Sequence, residues 1–345
     1  MSYNRFSRRH RAFVTANPAL SPDPGTYAGD AADFYVAPAI HGADTVANNW
    51  VTQLDGIQNK AVVSGAYVAD DVIQAAGCDF ADGNSVTVDE RVLTLTDLKV
   101  NETLCRGSIL PTWQGMTGAR QSMDWSNDSF RNFVFATVAA KVAEGVENNI
   151  WVGGKTTGFL SNDGAFDADG WAAGRLQGAT EQAISAITNA NAIAQFNLVY
   201  TKMAETTPAA LTKPDIAFYC SPKTYALYCQ QLAGLGAVDN ATAGSEALVG
   251  QGINNQATAQ GFAGIGFMGI DIHVSGGMPD NCIVMAQEAN LFVGSNLRTD
   301  YTNAAIIPAY QYDGSDNIKV VMQFGLGTQA GRLTEVVVGA ESSIL

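Results

Sequence analysis

Charge is scarce in this 345-residue chain: Asp, Glu, Lys and Arg together make up 15% of it, against roughly 25% in an ordinary soluble domain. A surface so poor in charge fits either a plain low-charge soluble protein or one covered by neighbours, because the cores of interfaces are depleted in charge. Basic residues are scarcer still, 19 against 33 acidic ones, for a net charge of −14. That sign argues against a protein that coats a duplex, since such binding comes mainly from Lys and Arg displacing phosphate counterions. Histidine is limited to His10, His41 and His273, and none belongs to a nucleophile or metal motif such as GxSxG or HExxH. The five cysteines (Cys78, Cys105, Cys220, Cys229, Cys282) include no CxxC pair, so neither a disulfide framework nor a zinc site is indicated. Small buried thiols in a reducing cytoplasm are the expectation. No run approaches the 18 or more apolar residues of a membrane helix, and Asn17, Pro18, Pro22 and Pro24 interrupt the segment after the first arginines, so no secretion signal is expected.

What is present is core material: 47% of the residues are hydrophobic, and a chain of this length buries roughly three quarters of its unfolded surface. One elaborate domain or two lobes is expected. The first 58 residues are rich in Pro, Gly, Ala, Asn and Asp and read as an extended arm, whose first 40 residues reach some 130 Å at full stretch. Arg5, Arg8, Arg9 and Arg11 precede any acidic residue, so the arm is electrostatically opposite to the body.

Beyond the arm, DGNS leads into VTVDERVLTLTDLKV, where Val86, Val88, Leu93 and Leu95 alternate with polar residues. This predicts a long hairpin whose return strand runs through Thr103 to Trp113. The strongest helix signal covers 128–149, with Phe130, Phe133, Val134, Val138, Val142 and Val146 on one stripe, capped by Asn127 or Asp128 and weakened by Gly145. A second helix is predicted from about Thr180 to Glu205, then a strand in DIAFYC. Ser221 and Pro222 open a further helix that Gly234 closes. Residues 234–269 read as a long loop, and the remainder as strands: IDIHV, CIVMA, NLFVG, AAIIPAYQY, IKVVMQFGLG and LTEVVVG. Strands on both sides of the helices predict a mixed α+β architecture, unlike the regular alternation of a doubly wound sheet.

Candidate chemistry is thin. Gly264, Gly266 and Gly269 match GxGxxG, but a dinucleotide site needs a strand before the glycines and a helix after them, and here a loop precedes and a strand follows. Turn glycines are the better account. Asp163, Asp167, Asp169 and Gly170 hint at a calcium loop, yet an EF-hand with Gly170 at its sixth position lacks both anchoring ligands, so a solvated acidic turn is expected. His273 within IDIHV reads as a surface or core-satisfied histidine. No catalytic, cofactor or metal residue is assigned, and no enzyme activity is expected. The sequons at Asn101, Asn127 and Asn240 are taken as chance matches.

Taken in order, arm, hairpin, long helix, central lobe and closing strands resemble the major capsid proteins of tailed bacteriophages, with their Hong Kong 97-like fold. The wording of VTVDERVLTLTDLKVNETLC, ENNIWVGG followed by GFL, PDIAFYCSPKTYALYCQQL, MPDNCIVMAQEANLFVGSNLRTDY and FGLGTQAGRLTEVVV is similar too. The resemblance implies an N-terminal arm at 1–58, a peripheral domain opening at 59–79, an E-loop hairpin at 80–122, and a peripheral segment with the spine helix at 123–154. An axial domain at 155–305 and closing peripheral strands at 306–345 would complete it. It further implies a subunit that joins copies of itself as pentamers and hexamers and encloses double-stranded DNA without reading its sequence. Assembly would take place in the host cytoplasm, into a virion head, with portal and scaffolding proteins and a decoration protein as further partners. Candidate inter-subunit contacts are Arg5, Arg8, Arg9 and Arg11 of the arm and Lys99 and Arg106 of the expected E-loop. The alternatives are an encapsulin-like compartment and, from another class, a soluble dinucleotide-binding enzyme.

Overall fold

The computed structural model describes residues 27–28, 43–68, 86–105, 128–153, 155–160, 175–232, 266–296, 303–309, 312, 314–315 and 317–341. Two sheets, a two-stranded ribbon and four helices are arranged among them. The longest strand, β12 (Asn317–Ala330), organises the first sheet. It pairs antiparallel with β5 (Thr96–Cys105), β11 (Asn303–Pro308) and β10 (Leu291–Ser295). β1 (Tyr27–Ala28) adds to β11, and β2 (Thr52–Leu54) lies parallel to β10.

The second sheet runs in the order β6 (Thr180–Ile184), β13 (Val337–Glu341), β9 (Cys282–Gln287), β7 (Ile216–Cys220) and β8 (Asp271–Val274). Its central strands are buried on both faces, which is why they read as unbroken apolar runs. The period of two sorts their side chains into two cores. Ile216, Phe218, Cys220, Ile283, Met285 and Val337 face one core, with α3 (Ala192–Thr206) and α4 (Pro222–Leu232) packed upon them. Ala217, Tyr219, Cys282, Val284, Ala286, Val338 and Ala340 face the other.

That other core is where α2 (Asp128–Trp151) lies, and at 1.5 Å per residue its 24 residues span about 36 Å. Val134, Val138, Val146, Ile150 and Trp151 share one cluster with Ile318, Val320, Met322 and Phe324 of β12. The expected stripe thus packs on the closing strands, with Val142 partly buried beside it; the side chains of Phe130 and Phe133 lie outside the described residues. At the entrance to α4 the Thr224 amide donates to Ser221 Oγ over 3.2 Å, and Pro222 is the first helical residue, as expected.

Two expectations are corrected. The strand at 86–94 does not pair with a return strand running from Thr103. β4 (Val86–Thr94) pairs with β3 (Lys60–Val68) instead, from Lys60 opposite Thr94 to Val68 opposite Val86. After Leu95, whose amide bonds the Asn59 carbonyl, the chain continues as β5 into the first sheet. The alternation identified the strand and carried no information about its partner. Residues 106–113 lie outside the described residues. The helix expected from Thr180 begins at Ala192, because Thr180–Ile184 is taken up as strand β6 beside β13. Asn191 then accepts from the Thr188 amide at 2.7 Å, a local bond that ends the extended run and opens the helix.

Candidate subunit-contact surfaces

β3 and β4 form a two-stranded ribbon that pairs with no other strand among the described residues. Its root is fixed by Leu93, fully buried on one face, and by Gln329 of β12, whose side-chain amide donates to the Val92 carbonyl at 2.8 Å. Gly294 of β10 makes room for the anchor: a Cβ there would stand 2.6 Å from Leu93 Cδ2. The opposite face carries Val62, Val88 and Val92, which are 61%, 56% and 45% exposed. Val62 and Val92 lie directly opposite each other in the register. An apolar face on a two-stranded ribbon gains little from its own chain, since isolated hairpins are marginal in water.

A second arrangement ties the segment before β2 to the body. Glu147 of α2, 4% exposed, accepts from the Thr45 amide at 3.1 Å and from the Thr45 and Ser275 hydroxyls. Trp151 Nε1 donates to Thr45 Oγ1 at 2.8 Å, and the Gly277 amide donates to Ser275 Oγ at 3.2 Å. Thr45 belongs to α1 (Asp44–Ala47), a single turn. Its side chain is spent on this network, which also borders a small cavity of about 230 Å³. Every polar atom named here has a partner, so the arrangement fastens three chain segments and offers no reactive group.

The single histidine among the described residues is likewise engaged. His273 stacks on Trp50 with ring centroids 4.6 Å apart, and its Nε2 lies 2.7 Å from Glu288 Oε1. The neighbouring Tyr219 hydroxyl donates to the Trp50 carbonyl at 2.7 Å, and burial, with Glu288 and Asp215 adding to it, holds its pKa well above the usual phenol range. Burial also raises the thiols of Cys220, Cys229 and Cys282, the last to about 12, so none of the three is a nucleophile at neutral pH.

Gly266–Gly269 forms a tight turn and no phosphate cradle. Phe267 and Ile270 exchange both backbone hydrogen bonds, and Met268 and Gly269 sit at φ of 53° and 81° between them. This is a two-residue hairpin turn, and strand β8 follows it where a dinucleotide site would need a helix.

Of the residues expected at subunit contacts, Arg5, Arg8, Arg9, Arg11 and Arg106 lie outside the described residues, as do Asp163, Asp167 and Asp169. Lys99 is exposed on β5, opposite Gln323 of β12. It therefore belongs to the first sheet and not to the ribbon. Sequence reasoning passed over the ribbon's first strand because KAVVSGAYV mixes apolar pairs with Ser64 and Gly65 and shows no clean alternation. It also passed over Thr45 and Ser275, which carry no motif and gain meaning only from Glu147.

Compared with protein-family models and with curated proteins, the sequence matches none. Its backbone does match solved structures. The capsid of an empty GTA particle aligns with a TM-score of 0.52 at 12% identity, over 87% of this chain and 89% of that one. A structure from Gordonia phage Cozz gives 0.52 at 10% identity, covering 87% of each chain. The mature capsid of bacteriophage PhiM1 gives 0.50 at 12%, over 86% of this chain and 87% of that one. With so few shared residues, what is common is the path of the backbone, and on that ground the chain has the mixed α+β fold of phage capsid proteins, the Hong Kong 97 type.

Proposed function

We propose that this chain is a major capsid protein of a tailed phage, which builds a head shell by self-assembly around double-stranded DNA and carries out no catalysis. The observation that carries the reading is the near end-to-end backbone match to the GTA particle capsid, 87% of this chain against 89% of that one. A part-length match would be compatible with one borrowed layer; this one takes in most of both chains. The exposed ribbon supports the same reading from a separate direction, because its valine face stands open to solvent and no further strand among the described residues pairs with it.

In this reading the ribbon of β3 and β4 serves as the E-loop, which begins earlier in the chain than the 80–122 expected from sequence. α2 serves as the spine of the peripheral domain together with the β12 sheet. The second sheet with α3 and α4 serves as the axial domain, so β13 joins the axial part in place of the closing peripheral strands expected of 306–345. The residues before Ala43 serve as the arm, shorter than the 1–58 expected, because Ala43, Val46 and Val51 are buried in the core and β2 is a strand of the first sheet. An asymmetric subunit joined head to tail closes into rings when the rotation permits, so one chain can make pentamers and hexamers. The net charge of −14 suits a container for DNA, since an acidic wall leaves the genome free to leave. Portal, scaffolding and decoration proteins are the further partners proposed, with the virion as the final location.

Sedimentation of the chain produced together with its neighbouring gene products tests this. Particles far larger than a small oligomer that protect DNA from nuclease are expected. A discrete small oligomer with saturable nucleotide binding would overturn the reading, and large particles filled with protein cargo would turn it toward a compartment.

A further inference from the structure

Two arginines in the described structure have no anion to answer them. Arg91 lies on β4 near the ribbon's root, on the face opposite the exposed valines, and its Nη2 donates to the Arg175 carbonyl at 3.2 Å. Both side chains are half-buried. Arg91 Nη1 and Arg175 Nε are shielded from solvent, yet neither has a hydrogen-bond partner. The ion pairs among the described residues use Lys141, Lys213, Lys223, His273 and Arg332, and none reaches this pair. Burial lowers the pKa of both guanidinium groups, and for Arg91 the neighbouring Arg175 lowers it further. A guanidinium does not lose its proton in a protein. The fold therefore holds two like charges partly out of water, an unfavourable arrangement until an anion joins them.

We infer that Arg91 and Arg175 form a socket for an Asp or Glu carboxylate supplied by a second copy of this chain. The inference rests on the self-assembly reading. A carboxylate fits the planar guanidinium fork in bidentate geometry, and with 33 acidic against 19 basic residues each copy carries carboxylates in excess. The socket is also continuous with an unpartnered surface, because the same ribbon turns Val62, Val88 and Val92 to solvent on its other face. A neighbour gripping the ribbon would cover the apolar face and neutralise the pair together. The consequence is a coupling: the two charges destabilise the free subunit and stabilise the assembled one.

The test uses the full-length chain with R91Q, R175Q and the double R91K/R175K variant, reading the melting temperature of the unassembled subunit and the critical concentration for assembly. Both Gln variants should melt at or above the wild-type temperature as free subunits while their critical concentration rises at least about tenfold. The Lys variant, which keeps the charge and loses the fork, should fall between. Wild-type assembly by the Gln variants would overturn the socket, as would a loss of subunit stability that parallels the loss of assembly. So would inorganic phosphate raising the melting temperature of the wild type alone with assembly untouched, which would mark a small-anion site. A wild type that forms no higher assembly under any condition would defeat the self-assembly reading itself and the socket with it.

Discussion

Glu147 joins three stretches of chain that are far apart in sequence: α1 through Thr45, α2 through its own backbone, and the turn at Ser275. A carboxylate this buried is tolerable only because its oxygens are answered by hydroxyl and amide donors. Thr45→Val removes one of those donors and the acceptor for Trp151 Nε1 while preserving shape. It should destabilise the subunit by about 1–3 kcal/mol, read as a fall in the denaturation midpoint without a change in slope. Gly277 belongs to the same knot, since a Cβ there would overlap the Glu147 carbonyl. The buried thiols add a pH effect. Cys282 is raised from the ordinary 9.0 to about 12 by burial, so its folded form holds its proton where the unfolded thiol has lost it. Stability should be unaffected by this group below about pH 9 and should decline as pH rises from there toward 12, by about 1.4 kcal/mol per pH unit for each such group. Melting curves collected across that window should show the decline; a flat profile would mean that Cys282 is not enclosed.

At the scale of elements, α2 is held by its stripe. Val138→Asp would place a charge among Val134, Ile318 and Met322 at a cost on the order of several kcal/mol, so loss of soluble folded protein is expected. Gly145 on the same helix offers the opposite change. A Cβ there meets nothing within 4 Å, and Gly145→Ala should stabilise the subunit by about 0.5–1 kcal/mol, measured by denaturant unfolding. Elements were legible in the sequence where periodicity and burial coincide: α2, the Ser221–Pro222 opening of α4 and most of the closing strands stand where the residue pattern places them, although Leu333–Glu335 of the expected LTEVVVG strand is a 3-10 turn ahead of β13 and β11 ends at Pro308. Pairing was not legible. β4 alternates just as well whether its partner lies before or after it, and Thr180–Ile184 becomes a strand because β13 offers it an edge. The contact surfaces were harder still, because an exposed valine or an unanswered arginine is defined by what surrounds it in space. Lys99 shows the same limit: its place in the chain suggested the hairpin, while pairing with β12 puts it on the sheet.

For the whole molecule, the scarcity of charge and the exposed valines of the ribbon carry one meaning if most of the surface is shared with copies of the same chain. The arm is the remaining element of that proposal. Deleting residues 2–40 removes, among the described residues, only the two-residue edge strand β1, and should leave a soluble subunit with near-native circular dichroism that no longer closes shells, since the described members of the buried clusters run from Ala43 onward. Shells of normal form from the truncated chain would remove the arm from assembly. Electron microscopy of the full-length protein, purified with and without its neighbouring gene products, tests the central claim most directly. Closed shells, or rings with five- and sixfold symmetry in which the β3–β4 ribbon of one copy lies against the next, are the expected result. A monodisperse monomer or small closed oligomer under every condition, with the ribbon free in solvent, would contradict it.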